Sequence, residues 1–157
     1  MAVAEKMAST KNQTSRRIKV LLVDDSRDYL LAATSYISGF SGVEVVGWAS
    51  SGEKALEKAK ELKPDLVMVD LAMPVMNGLD TTRALKALPN PPFVTILTLH
   101  DDPEYRQAAK AVNADSFIGK AELVNIFPAM IHALFPEEVE SQADSTDLDI
   151  PEESEDS

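Results

Sequence analysis

Three aspartates, a threonine and a lysine are the residues whose types and spacing could do chemistry together: Asp24 and Asp25, Asp70, Thr98 and Lys120. Each follows a short apolar run, and jointly they offer three carboxylates, a hydroxyl and an ammonium. Such oxygen ligands suit a hard cation such as Mg2+, and clustered carboxylates need a neutralising charge. Asp24-Asp25 alone would say little, because strand ends often carry an aspartate as a helix N-cap. The recurrence of reactive residues at four strand ends is what points to a site.

For these residues to meet, strands must deliver them. Ile18–Val23 is mostly apolar and rich in β-branched residues, as a buried parallel strand is, and it stops at Asp24. Tyr29, Leu30, Ala33, Ile37 and Phe40 recur at helical spacing, and Gly39 and Gly42 mark a stop before a second strand, Val43–Ala49. Ser51 fits an N-cap without a complete capping box; Ala55, Leu56, Ala59 and Leu62 form an apolar stripe that Pro64 ends. Residues 66–69 make a third strand closed by Asp70, and Pro74, Asn77 and Gly78 mark a loop before a helix over 79–88. Pro89, Pro91 and Pro92 bar regular structure ahead of a fourth strand over 93–97. Asp101, Asp102 and Pro103 suit the first turn of the next helix, and Asn113 suits its left-handed end. Ser116–Gly119 is a short fifth strand, and Leu123, Ile126, Phe127, Met130, Ile131 and Leu134 predict a last helix that Pro128 should kink or delay.

Five strands alternating with five helices predict βαβ units with right-handed crossovers, and so a parallel α/β sheet covered on both faces. Ligands of such sheets sit beyond the carboxyl ends of the strands, where the five residues named above should converge.

At 157 residues and 45% apolar content the chain can bury one substantial core. The periodic segments predict one domain over 18–135, a flexible N-terminal tail over 1–17 and an acidic, disordered C-terminal tail over 136–157. That acidic tail holds ten Asp or Glu and no Lys or Arg, so it supplies −10 of the formal −11 and leaves about −1 for the rest. An acidic chain lacks the basic patch that phosphate neutralisation needs, which argues against direct nucleic-acid binding. Without cysteine there are no disulfides, thiolate metal sites or cysteine nucleophiles. No segment reaches the roughly 18 to 20 apolar residues of a membrane span, and none at the start has signal-peptide character, so the expected location is cytoplasmic.

With those residues in view, the sequence resembles the receiver domains of two-component response regulators. The resemblance rests on Asp24-Asp25, on Asp70-Leu71-Ala72-Met73-Pro74-Val75-Met76-Asn77-Gly78, on Thr98, and on Phe117-Ile118-Gly119-Lys120, and it covers about residues 19–134. Thr98-Leu99-His100-Asp101-Asp102 and Ala114-Asp115-Ser116-Phe117 look most similar to the nitrate-response branch, whose helix-turn-helix output domain is expected to be absent here. The family's flavodoxin-like, doubly wound order 2-1-3-4-5, for which a receiver is a standard example, comes with the resemblance and not from spacing.

The resemblance implies that Asp70 is the phosphoacceptor toward a phosphohistidine on a sensor histidine kinase or histidine phosphotransfer protein. It implies that Asp25, Asp70 and the Ala72 backbone carbonyl ligate Mg2+, with Asp24 acting through a metal-bound water. Lys120 would pair with Asp70 at rest and with the phosphoryl group afterwards, while the Thr98 hydroxyl moves inward to the same group. Phe117 occupies the switch-aromatic position, so its ring is expected to turn inward with Thr98 and alter the surface of the fourth helix, fifth strand and fifth helix; a plain core phenylalanine is the simpler reading. A downstream protein target and a phosphorylation-dependent homodimer are implied too. The protein would be a signalling phosphoacceptor that assists its own phosphorylation and dephosphorylation, not an enzyme.

Two positions depart from the family pattern. Leu99 stands where many receivers have a small residue and could narrow access to Asp70. Ala121 replaces a proline that often follows the lysine, which puts a cis Lys120-Ala121 bond in doubt, since cis costs about 2.5 to 4 kcal/mol without proline. Met73 and Met76 are read as loop packing, and His100 and His132 as solvated histidines. The competing readings are a phosphorylation-independent interaction module and a receiver fragment of a longer DNA-binding regulator. A nucleotide or flavin enzyme is disfavoured by the acidic, glycine-free loop Asp24-Asp25-Ser26-Arg27-Asp28.

Overall fold

The computed structural model describes residues 17–136. The elements alternate as β1 (Ile18–Val23), α1 (Arg27–Ile37), β2 (Val43–Ala49), α2 (Gly52–Leu62), β3 (Leu66–Asp70), α3 (Gly78–Lys86), β4 (Phe93–Thr98), α4 (Pro103–Ala111), β5 (Ser116–Gly119) and α5 (Leu123–Leu134), with a 3-10 turn at Lys120–Glu122 before α5. All strand pairs are parallel, and the sheet order is β2-β1-β3-β4-β5, the flavodoxin-like arrangement. Of the proposed domain 18–135 the described part covers every residue; the readings of 1–16 and 137–157 as tails lie outside it.

Alternation along β1 splits the core in two. Ile18, Val20 and Leu22 face one side with Leu30 and Ile37 of α1 and Phe127 and Ile131 of α5. Leu21 and Val23 face the other with Ala55 and Ala59 of α2, Leu85 of α3 and Ala109 of α4. Both faces are therefore dry, which is why the strands read as continuous apolar runs and not as alternating ones.

The helix signals operate locally as expected. Ser51 accepts a hydrogen bond from the Lys54 amide, and Lys63 takes a left-handed φ of 50° just before Pro64. Asn113 has φ 68° beyond α4, and Pro103 occupies the first turn of that helix. The third helix differs at its ends: it starts at Gly78, because Asn77 caps it by accepting from the Asp80 amide, and it ends at Lys86, where Ala87 and Leu88 continue only as a tight turn.

Pro128 corrects the expectation of delay. Helix α5 begins at Leu123 and carries Pro128 inside it. A proline at this position cannot donate to the carbonyl four residues earlier, that of Val124. The Tyr36 hydroxyl of α1 donates to that carbonyl at 2.8 Å, so the break in the helix ladder is repaired from a neighbouring helix.

Candidate functional site

Strand β1 is almost completely buried and delivers Asp24 and Asp25 at its end, with Asp24 2% exposed and Asp25 open to solvent. The Asp24 amide continues the pairing with β2 by donating to the Ala49 carbonyl at 3.0 Å. One Asp24 carboxylate oxygen accepts from the Ser26 amide at 2.8 Å, and Ser26 in turn caps α1 by accepting from the Tyr29 amide at 3.2 Å. This chain of short-range bonds fixes the turn and aims the second Asp24 oxygen inward.

Asp70 closes β3 and is 6% exposed. The loop behind it folds tightly: the Leu71 amide donates to Leu97 and the Gly78 amide donates back to Leu71, both at 2.8 Å. A Cβ at Gly78 would collide with the Asp70 carbonyl and with Leu71, so close backbone approach is what this glycine provides. At the loop tip Val75 is 98% exposed at φ 70°, a left-handed conformation that is costly for a β-branched residue. Met73 is buried and Met76 packs against Gly52, which bears out their reading as loop packing.

Lys120 crosses the site from the end of β5. Its Nζ lies 2.7 Å from Asp24 Oδ2 and 3.0 Å from Asp70 Oδ1, and 4.2 Å above the centre of the Tyr29 ring. The resting Lys120–Asp70 pair expected from the sequence is present, but the shorter contact is with Asp24, whose second oxygen is therefore engaged as well.

Electrostatics follow from that crowding. Burial raises the Asp70 pKa above the ordinary carboxylate range; the hydrogen bond from Lys120 opposes this, and the charge of Asp24 adds to it. For Lys120, burial disfavours the ammonium, yet hydrogen bonds to Asp24 and Asp70 outweigh it and its pKa is raised. Asp24, Asp25 and Asp70 each offer a carboxylate oxygen, and these atoms all lie within 4.8 Å of one another. Three carboxylates facing one ammonium remain short of positive charge, so the donor set fits a divalent cation held by oxygen.

A cavity of about 410 Å³ joins Asp24, Asp25, Asp70, Ala72, Thr98 and Lys120, and Leu99, His100 and Tyr105 complete its rim. The five residues expected to converge thus meet at one place. Phe117 is half-buried outside the cavity, packed with the α2–α3–α4 face under the Arg106 guanidinium, 5.1 Å from its ring centre. Arg106 is held there by two 2.8 Å hydrogen bonds to Asp101, which lies before α4 and not in its first turn. Asp102 stands at the N-cap position but makes no side-chain capping bond.

Thr98 is buried with its hydroxyl turned toward its own loop: it accepts from the His100 amide at 2.9 Å and donates to the His100 carbonyl at 3.0 Å. Leu99 is 76% exposed, so it borders the cavity without closing it. His132 lies on the exposed side of α5. No peptide bond among the described residues is cis, Lys120-Ala121 included.

The residue that sequence reasoning missed is Tyr29, taken only as part of a helical apolar stripe. Its position four residues after Asp25, one turn into α1, is a signal that gains meaning only once Lys120 is seen beside it.

A family model describing the response regulator receiver domain matches residues 20–131. The chain belongs to the response-regulator receiver family. This receiver is 42% identical over 104 residues to the response regulator protein VraR of Staphylococcus saprophyticus, a match that covers 66% of this chain and 49% of that protein. It therefore spans about half the length of the curated relatives it matches. Among solved structures, it is similar to the receiver domain of the putative response regulator NarL from Mycobacterium tuberculosis, with 28% identity and a TM-score of 0.68 over 76% of this chain and 97% of that one. It is also similar to the response regulator domain of Thermotoga maritima CheB, with 28% identity and a TM-score of 0.67 over 76% and 94% of the two chains. The receiver is thus a part of two-component signal transduction. No helix among the described residues is long and apolar enough to cross a membrane.

Proposed function

We propose that this receiver accepts a phosphoryl group on Asp70 from a phosphohistidine donor in a Mg2+-dependent reaction and thereby switches its protein contacts. The observation that carries the reading is Lys120 Nζ held between Asp24 Oδ2 at 2.7 Å and Asp70 Oδ1 at 3.0 Å, beside three carboxylate oxygens within 4.8 Å of one another.

In the transfer, an Asp70 carboxylate oxygen attacks phosphorus, the P–N bond to the donor imidazole breaks, and its electron pair leaves with the imidazole nitrogen. Asp24, Asp25 and Asp70, with the Ala72 carbonyl, would hold the cation. When bound, Mg2+ supplies positive charge that offsets the carboxylates and the incoming phosphoryl oxygens. Lys120 keeps Asp24 and shifts its second bond from Asp70 to a phosphoryl oxygen. The Thr98 hydroxyl leaves His100 to donate to another phosphoryl oxygen, and Phe117 leaves its place beneath Arg106 as the loop moves. Hydrolysis of the acyl phosphate returns Asp70, so the receiver is a self-resetting phosphoacceptor and not an enzyme acting on others.

A sensor histidine kinase or a phosphotransfer protein is the donor on this reading, acting in the cytoplasm. A downstream protein or a second copy of the receiver reads the switched surface, whether the chain acts alone or within a longer regulator.

The deciding experiment is intact-protein mass after phosphoramidate or acetyl phosphate with Mg2+, for the parent chain, for Asp70→Asn and with EDTA. A Mg2+-dependent phosphoryl adduct absent from Asp70→Asn is expected. No adduct with either small donor or with a phosphohistidine protein would overturn the reading in favour of a phosphorylation-independent module.

A further inference from the structure

Lys120 has three N–H donors and no acceptor capacity, and the structure accounts for each direction. Two face Asp24 and Asp70, and the ring of Tyr29 lies 4.2 Å from Nζ on the remaining side. The face of an aromatic ring is electron-rich, and contact with a partly desolvated ammonium is favourable. The Tyr29 hydroxyl contributes nothing comparable, being buried without a hydrogen-bond partner among the described residues. The apolar body of the side chain is therefore what this position uses.

We propose that the Tyr29 ring is a positioning group for Lys120, holding its ammonium over the Asp24–Asp70 gap so that it can pass from Asp70 to the phosphoryl group without leaving the site. The inference rests on the phosphotransfer reading above and deepens it. Two carboxylates alone define a line along which Nζ can slide or swing outward toward solvent. The ring closes the third side, and α1 anchors it, since the Tyr29 amide is itself fixed by the Ser26 cap that Asp24 orients. The turn that aims Asp24 at Lys120 thus also sets the ring against Lys120. When Asp70 is phosphorylated and its charge changes, Asp24 and the ring are the two contacts that persist.

The test compares Tyr29→Leu and Tyr29→Phe with the parent chain in phosphoramidate phosphorylation at saturating Mg2+, alongside Mg2+ affinity read from the fluorescence of Trp48, which lines a neighbouring cavity with Asp24 and Asp25. Tyr29→Leu is expected to slow phosphorylation by roughly 3- to 30-fold, the range a cation–ring contact supports, with Mg2+ affinity unchanged. Tyr29→Phe is expected to restore the rate, because the ring is kept. Equal rates for Leu and parent, or a Phe variant as slow as Leu, would overturn the proposal, as would a loss of Mg2+ affinity in step with the rate. Should Tyr29→Leu fail to fold, the parent decides by NMR: the Lys120 ε-methylene protons must be shifted upfield by the ring, and an ordinary shift overturns the contact. If the parent forms no adduct, the phosphotransfer reading fails by itself while that shift still tests Tyr29.

Discussion

The Tyr36 hydroxyl donates to the Val124 carbonyl across 88 positions of sequence, at 2.8 Å, and Pro128 is the reason the carbonyl is free to accept. The same tyrosine ring packs edge-on to Phe40 at 5.2 Å and to Phe127 at 6.0 Å, so the bond is made by a side chain already fixed by the core.

Tyr36→Phe should keep the ring packing and lose only that bond, at a cost of about 0.5 to 1 kcal/mol in urea unfolding, since the bond is partly open to water. In a Pro128→Ala background the helix amide can serve Val124, and the Tyr36→Phe cost should shrink. Additive effects of the two substitutions would show that the hydroxyl is not compensating for the proline.

Asp115 precedes β5, and its carboxylate accepts from the Val94 amide and from Lys86 Nζ, each at 2.8 Å, one residue before β4 begins to pair with β5 at Thr95. Asp115→Ala strips a strand amide of its acceptor and should destabilise by about 1 to 3 kcal/mol, whereas Asp115→Asn, which retains an acceptor, should cost less. Equilibrium denaturation distinguishes the two.

Ionised Asp70 is disfavoured by burial in the metal-free protein, so Asp70→Asn should raise stability at neutral pH by about 1 kcal/mol. Because the folded pKa is raised above the unfolded value of about 3.9, the native state gains stability from the protonated carboxyl at low pH and loses it as pH rises through the folded pKa. The advantage of Asn should therefore be present above the folded pKa of Asp70 and vanish below about pH 4, as seen in thermal melts with EDTA. Mg2+ should reverse it by stabilising the parent selectively.

Leu99 is exposed at the cavity rim, so Leu99→Ala should quicken phosphorylation by acetyl phosphate only modestly, by less than about tenfold, equivalent to 1.4 kcal/mol of barrier. A larger gain measured by the mass-adduct time course would mean that Leu99 closes the site in solution. No gain would mean that access is set elsewhere.

The order of elements was legible because the signals are local. Continuous apolar runs such as Ile18–Val23 mark strands dry on both faces, and Ser51 and Pro64 bound a helix through their own backbone chemistry. The convergence of Asp24, Asp25, Asp70, Thr98 and Lys120 was legible too, since a parallel sheet puts every strand's carboxyl end on one edge. Phe117 was read as a ring that turns inward when Thr98 moves; where it rests, beneath Arg106 held by Asp101, depends on a pair invisible in sequence.

By itself, then, the sequence determined the βα alternation, the edge at which the reactive side chains gather and, through its motifs, the receiver family. Tertiary structure alone decided that Lys120 sits nearer Asp24 than Asp70 with Tyr29 against it, that Tyr36 repairs the break at Pro128, and that Asp115 serves a strand and not the site. The division has a physical cause. Backbone propensity and apolar periodicity act between neighbours in the chain, whereas hydrogen bonds and ion pairs between distant side chains depend on angles and distances that exist only after the sheet and helices have packed.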